Sequence, residues 1–145
     1  MGSRTFTFDA LLQLKDAGAV TSSAAAQVGG SNKILDMGAA RFEGTVVIDV
    51  SAIDISSTDE AYDIIVQGSN SSSFASGIEN LAQLNLGATA ARDGGGQNST
   101  VGRYELGVTN EQADVVYRYV RLFTKAAGTT PSINYTAFLS NDPGR

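Results

Sequence analysis

Hydrophobic residues recur at every second position in several separate runs, and this alternation constrains the fold of the chain more than any other feature. Val46, Ile48 and Val50 alternate with more polar neighbours, which is typical of a strand with one buried face. Similar spacing elsewhere predicts six strands in all. They cover residues 45–53, 61–68, 80–87, 101–108, 115–124 and 132–140, and two further strands are expected at 5–8 and 32–37.

Clusters of Gly, Ser, Asn, Asp, Thr and Pro separate these runs and indicate turns. They lie at residues 29–32, 56–59, 68–73, 93–99 and 128–131. Strands joined by such loops favour packed antiparallel sheets over βαβ units. We therefore predict an all-β fold, an antiparallel β-sandwich, with an extended N-terminal arm at residues 1–20 and a single sandwich domain at residues 21–145.

The predicted core consists of the side chains on the inward face of each strand. It contains Val46, Ile48, Val50, Ile64, Val66, Leu84, Leu86, Leu106, Val120, Leu122, Ile133 and Leu139. Helical character is weak. Residues 9–17 fit either a short helix that begins at Asp9 or an extended arm, and residues 109–114 fit one capped helical turn.

The composition excludes most catalytic and metal chemistry. The chain has 145 residues without a single His or Cys, so disulfides, thiolate or imidazole metal sites and nucleophile–His–acid triads are excluded. Acidic residues number 15 and basic residues 10, a balance that disfavours binding to a phosphate backbone. No apolar run reaches 18 residues, so no membrane span is expected. We predict no enzymatic activity, no cofactor, no metal, no nucleic-acid partner and no membrane partner.

Two polar segments have alternative interpretations. The acidic stretch at residues 49–63 contains Asp49, Asp54, Asp59, Glu60 and Asp63, which fit either a solvated edge or a structural cation site with oxygen ligands. The run Gly94-Gly95-Gly96 lacks the Lys and Ser/Thr of a phosphate-binding loop. We interpret it as a loop tip.

One row of outward side chains has the composition of a protein interface. On the strand predicted at 115–124, Tyr117, Tyr119, Arg121 and Phe123 point away from the core. Tyr, Phe and Arg are enriched in interface centres. The alternative is that another part of the chain covers this row.

Four segments of the sequence resemble the small capsid cement (decoration) proteins of tailed bacteriophages. They are "DALLQLKDAGAVTSSAAAQ", "NKILDMGAARFEGTVVIDVSA", "YRYVRLF" and "GTTPSINYTAFLSND", within residues 9–142. The resemblance implies a jelly-roll-like sandwich that is made in the host cytoplasm and binds the outer capsid surface of the virion. It also implies two partners, the major capsid protein and further copies of the chain, as a dimer or trimer on a local symmetry axis.

Under this resemblance we expect the N-terminal arm to bind the capsid. Its anchors would be the apolar residues Phe6, Phe8, Leu11, Leu12 and Leu14. The rival interpretation is that the arm folds back and completes its own core. A different class, a carbohydrate-binding or adhesin-like sandwich, would need an exposed aromatic pair drawn from Tyr62, Phe74 and Tyr104.

Overall fold

The computed structural model describes residues 6–92 and 94–141, and these residues form short and long β-strands with one 3-10 turn at Ala10–Leu12. The strands are β1 (Gln13–Lys15), β2 (Ala19–Val20), β3 (Ala24–Ala25), β4 (Gln27–Val28), β5 (Ser31–Asn32), β6 (Leu35–Asp36), β7 (Glu43–Ile53), β8 (Ala61–Ser69), β9 (Glu79–Gly87), β10 (Gly102–Thr109), β11 (Glu111–Gln112), β12 (Val115–Val116), β13 (Tyr119–Ala127) and β14 (Ile133–Ser140).

Two antiparallel sheets contain the long strands. Sheet I has the order β1-β14-β7-β10, with β2 also paired to β14. Sheet II has the order β3-β13-β8-β9, with β6 also paired to β13. The chain passes repeatedly between the sheets, and these neighbours are those of a double-sheet jelly roll. The predicted all-β sandwich is confirmed.

The core lies between the sheets and is built mainly from the predicted side chains. Ten of the twelve are almost completely buried, the exceptions being Leu84 and Leu106, which are partly exposed where β9 and β10 approach each other. Tyr62, Tyr135 and Leu14 add large, fully buried side chains. Alternation located the core because each long strand has one face against the opposite sheet.

The prediction of one continuous strand at 115–124 is wrong. Val115 and Val116 form a small hairpin with β11, and β13 begins only at Tyr119. Between them Arg118 turns outward, where its guanidinium makes paired bonds of 2.8 and 2.9 Å to the Asp36 carboxylate. An inward Arg118 would have required a buried charge, and the interruption of the strand avoids that cost.

The helical turn proposed for 109–114 is also wrong. Ala113 and Asp114 have φ angles of 51° and 64°, and they form the tight turn between β11 and β12. At the N-terminus, Asp9 caps a 3-10 turn by accepting a hydrogen bond from the Leu11 amide at 2.9 Å. Residues 6–8 are not a strand, Thr5 lies outside the described residues, and the strand expected at 32–37 is reduced to parts of β5 and β6.

Much of the N-terminal segment belongs to the sandwich rather than to an extended arm. Both β1 and β2 pair with β14, and Leu14 is completely buried in the main core. Leu14 is therefore unavailable to a partner in the folded protein. This is a correction for Leu14: its apolar side chain is more stable inside its own core than in water.

A buried lysine fastens β1 to the sandwich. The Lys15 ammonium donates hydrogen bonds to the carbonyl oxygens of Asp16, Gly18 and Tyr135 at 3.0, 2.8 and 2.8 Å. It also lies 4.6 Å from the centre of the Tyr135 ring. Burial lowers the pKa of Lys15, and the neighbouring Asp16 carboxylate opposes this effect. The three carbonyl acceptors and the aromatic face compensate for the removal of this cation from water.

We predict that Leu14→Ala destabilises the protein by about 2–5 kcal/mol, because it removes a fully buried side chain and leaves a cavity. Leu11→Ala is the matched control, since Leu11 is 78% exposed, and it should change the free energy of unfolding by less than about 0.5 kcal/mol. Urea denaturation measures both. Equal effects of the two substitutions would contradict the placement of Leu14.

A second prediction concerns alkaline stability. Burial raises the pKa of Tyr135 to about 12, and the hydrogen bond with Thr124 opposes this effect. The stability linked to the protonated phenol is complete below pH 10, the ordinary pKa, and is lost as the pH rises through about 12. Between these values the wild type should lose on the order of 1–3 kcal/mol more than Tyr135→Phe. Urea denaturation across this range gives the two slopes, and parallel curves would contradict the prediction.

Candidate binding surfaces

The first candidate surface is formed where the N-terminal segment crosses the outer side of sheet I; we call it the arm face, defined by Phe6, Phe8, Leu11 and Phe138. Phe6 is buried in a small cluster with Val47 and Phe138, separate from the main core. The Phe8 ring meets the Phe138 ring edge-on, with centroids 5.3 Å apart. Phe6 and Phe138 thus hold the segment on the sheet.

The exposed hydrophobic area of the arm face comes from two residues. Phe8 is 56% exposed and Leu11 is 78% exposed, although both are large and apolar. Leu12 is partly buried against the main core, and Leu14 lies inside it. Of the five anchors predicted from the sequence, Phe8 and Leu11 are therefore the ones that present apolar surface to solvent.

A groove of about 380 Å³ runs between the N-terminal segment and the sheet. Its walls include Phe6, Phe8, Gln13 and Phe138, and an ion pair lies among its polar residues. There the Arg103 guanidinium binds the Asp49 carboxylate through Nε and Nη2 at 2.7 and 2.9 Å. This bond raises the pKa of Arg103. The arm face therefore combines exposed apolar side chains with a fixed charged pair.

The second candidate surface is the predicted row on the outer side of sheet II. Tyr117, Tyr119, Arg121 and Phe123 are all partly buried. The Arg121 guanidinium lies 4.4 Å from the Phe74 ring centre and 5.7 Å from that of Phe123, and its Nε donates to Gln67 Oε1 at 3.0 Å. The prediction for Tyr117 is wrong: this residue precedes β13, and its side chain lies where a Cβ on Gly68 would be, on the core-facing side of β8. The row is already engaged by its own chain.

Phe74 covers part of this row, a contact that the sequence did not reveal. It belongs to the serine-rich loop after β8, is buried, and has a φ angle of 54°. A bulky side chain adopts this left-handed conformation only when packing compensates for the strain. The contact with Arg121 supplies such packing, and a local sequence pattern carries no sign of it.

In the acidic stretch at residues 49–63, several carboxylates accept hydrogen bonds from amides and hydroxyls of the surrounding loops. Asp54 accepts hydrogen bonds from the Ser56 amide and hydroxyl, and Asp59 accepts them from the amide and hydroxyl of Thr129. These bonds lower the pKa of both carboxyls. Buried Glu60 accepts a bond from the Ser57 amide at 3.0 Å. Within residues 6–92 and 94–141, no three or more His, Cys, Asp or Glu side chains lie close enough together to hold a metal ion.

A second cavity, of about 450 Å³, lies along the N-terminal segment between Lys15 and Gly30. Its one buried charge, Lys15, already has three carbonyl partners, so Lys15 offers no unsatisfied group to a ligand.

Among the described residues, no helix is long and apolar enough to cross a membrane. Comparison of the sequence with family models and with curated proteins finds no match.

We predict that Phe74→Ala lowers the free energy of unfolding by about 3 kcal/mol, because the ring is buried and holds the loop over sheet II. Ser72→Ala, at an exposed position of the same loop, should change it by less than about 0.5 kcal/mol. Thermal and urea denaturation test the pair. Indistinguishable stabilities would mean that the loop does not depend on Phe74.

Proposed function

We propose that this protein is a capsid cement (decoration) protein that binds the outer surface of an expanded phage head through the major capsid protein. The observation that carries the proposal is the arm face, where Phe8 and Leu11 expose apolar surface on a rigid jelly-roll sandwich. The resemblance of four sequence segments to cement proteins supports the same function. On this proposal the protein resides on the virion and acts without catalysis or cofactor.

The physical basis of such a function is preferential binding to one state of the shell. A protein that binds the expanded lattice and not its precursor stabilises the expanded lattice by mass action. Many copies on a repeating surface, linked to one another as oligomers, add avidity. A β-sandwich suits this task because its packed core resists deformation.

The arm face is suited to docking because it is partly ordered before it binds. Phe6 is buried against Val47 and Phe138, and this contact fixes the chain just before Phe8. Full burial of an apolar side chain contributes roughly 1.5–3 kcal/mol. Ordering of a flexible segment would reduce that gain, and the contacts of Phe6 and Phe8 with the sheet lower this cost.

The carbohydrate-binding alternative receives no support from the aromatic residues on which it was based. Tyr62 and Phe74 are buried. Tyr104 is partly buried, and its hydroxyl donates to the Thr100 carbonyl at 2.7 Å. Sugar recognition needs an accessible ring face, which the two buried residues do not offer.

We predict that the double variant Phe8→Ser, Leu11→Ser loses at least about tenfold in affinity for expanded capsids, because two apolar contacts are removed. Its melting temperature should remain close to that of the wild type, since both side chains are exposed. Cosedimentation with purified expanded capsids measures binding. Val115→Ser is the matched control, because Val115 is also an exposed apolar residue but lies on the β11–β12 hairpin.

Two results would contradict the proposal. If the wild type does not cosediment with expanded capsids of any candidate phage, the protein is not a cement protein. If the double variant binds as tightly as the wild type, the arm face is not the docking surface. A positive glycan array for the wild type would favour the carbohydrate-binding alternative.

A further inference from the structure

The two lateral edges of the sandwich are built differently. At one edge the sheets end in β1, β2, β3 and β6, each of which has only two or three residues. At the other edge they end in β9 and β10, which have nine and eight residues. Long, regular edge strands present a row of unpaired backbone groups, which natural proteins usually interrupt or cover. We call the side formed by β9 and β10 the open edge.

Apolar side chains that point into the sandwich are incompletely covered at the open edge. Six of them are only partly buried although they pack against the core, namely Leu81, Ala82, Leu84, Tyr104, Leu106 and Val108. Two of the six, Leu84 and Leu106, are the predicted core residues that the structure shows to be only partly buried. The core is therefore thinly covered along the same side on which the two strands end.

The two strands of the open edge differ in how their backbones are covered. On β9, the Arg92 guanidinium donates to the Asn85 carbonyl at 3.2 Å, so a side chain occupies part of that edge. On β10, residues 102–109 pair with β7 on one side. Among the described residues, no other backbone segment pairs with β10 on its second side. The second side of β10 is the better template for an added strand.

We propose that β10 pairs antiparallel with β10 of a second copy of this chain, with the two-fold axis at Tyr104. The pairing joins the two copies of sheet I into one continuous sheet and covers the partly buried apolar side chains next to the axis. The occupant is a second copy because the face of β10 that points away from the core carries one positive and one negative residue. These are Arg103 and Glu105, which are both exposed and two residues apart.

The register follows from charge and from the alternation of the strand. Core-facing residues must lie opposite core-facing residues, so the two-fold axis passes through a residue and not between two residues. An axis at Arg103 or at Glu105 places like charges directly opposite each other, which is destabilising. An axis at Leu106 leaves both charges opposite uncharged residues. An axis at Tyr104 places each Arg103 opposite the Glu105 of the other copy, which forms two cross-strand ion pairs.

The existing bond of Arg103 is compatible with this pairing. Within the chain, Asp49 binds the Nε and Nη2 side of the guanidinium. Nη1 lies outside that pair of bonds and can donate to a second carboxylate, because a guanidinium carries five N–H donors. The inference does not depend on capsid binding, since its test uses the purified protein alone.

The test uses two charge reversals that are compatible only with each other. In Arg103→Glu every opposed pair becomes Glu–Glu, and in Glu105→Arg it becomes Arg–Arg. Each variant should dissociate at least about tenfold more readily than the wild type, as measured by sedimentation equilibrium. An equimolar mixture of the two should form heterodimers of near wild-type affinity, because both opposed pairs are then Glu–Arg. Lys125→Glu, an exposed reversal on β13, is the control and should dimerise as the wild type does.

Hydrogen exchange of the unmodified protein provides a second measurement that does not depend on the folding of any variant. Backbone amides of β10 that point away from β7 should be protected at high protein concentration and lose protection on dilution. A wild type that is monomeric over the whole concentration series would overturn the proposal. A dimer that both reversals leave intact, or a mixture that fails to associate, would also overturn it.

Discussion

The attachment of the N-terminal segment to β14 is the contact on which the arm face and the arrangement of the two sandwich edges depend. Leu14 fills the core beneath sheet I, and the Lys15 ammonium binds the carbonyl groups of Asp16 and Gly18, which follow β1, and of Tyr135 on β14. Upstream of this point, the chain is directed across the outer side of the sheet, where Phe6 is buried and Phe8 is displayed. The same attachment closes one edge of the sandwich with short strands and leaves β9 and β10 at the other.

The long strands could be predicted because alternation reports directly on burial of one face. Five of them, β7, β8, β9, β10 and β14, begin and end within two residues of the sequence-based limits. The break between β12 and β13 could not be predicted in this way. It depends on Asp36, which is far away in the sequence and pairs with Arg118, and on the turn at Ala113 and Asp114. Alternation carries no information about such distant partners.

The candidate surfaces were predictable to different degrees. The apolar residues of the N-terminal segment are visible in the sequence, but their division into buried and exposed is not. Leu11 and Leu14 have identical side chains, and only the pairing of β1 with β14 places one in the core and the other in solvent. Likewise, the aromatic and cationic row on β13 was recognisable, whereas its cover by Phe74 requires a loop to fold back in an unusual conformation. Tertiary contacts decide exposure, and exposure decides what a surface can bind.

The arm face and the open edge are formed by different strands except at Arg103, which belongs to β10 and also lines the groove of the arm face. The arm face is built from the N-terminal segment, β14 and Val47 of β7, and the open edge from β9 and β10. The most direct test of the central claim is hydrogen exchange of the protein bound to expanded capsids, compared with the free protein. Capsid docking through the arm face predicts new protection concentrated at residues 6–12. Unchanged exchange there, with protection confined to other parts of the chain or absent altogether, would contradict it.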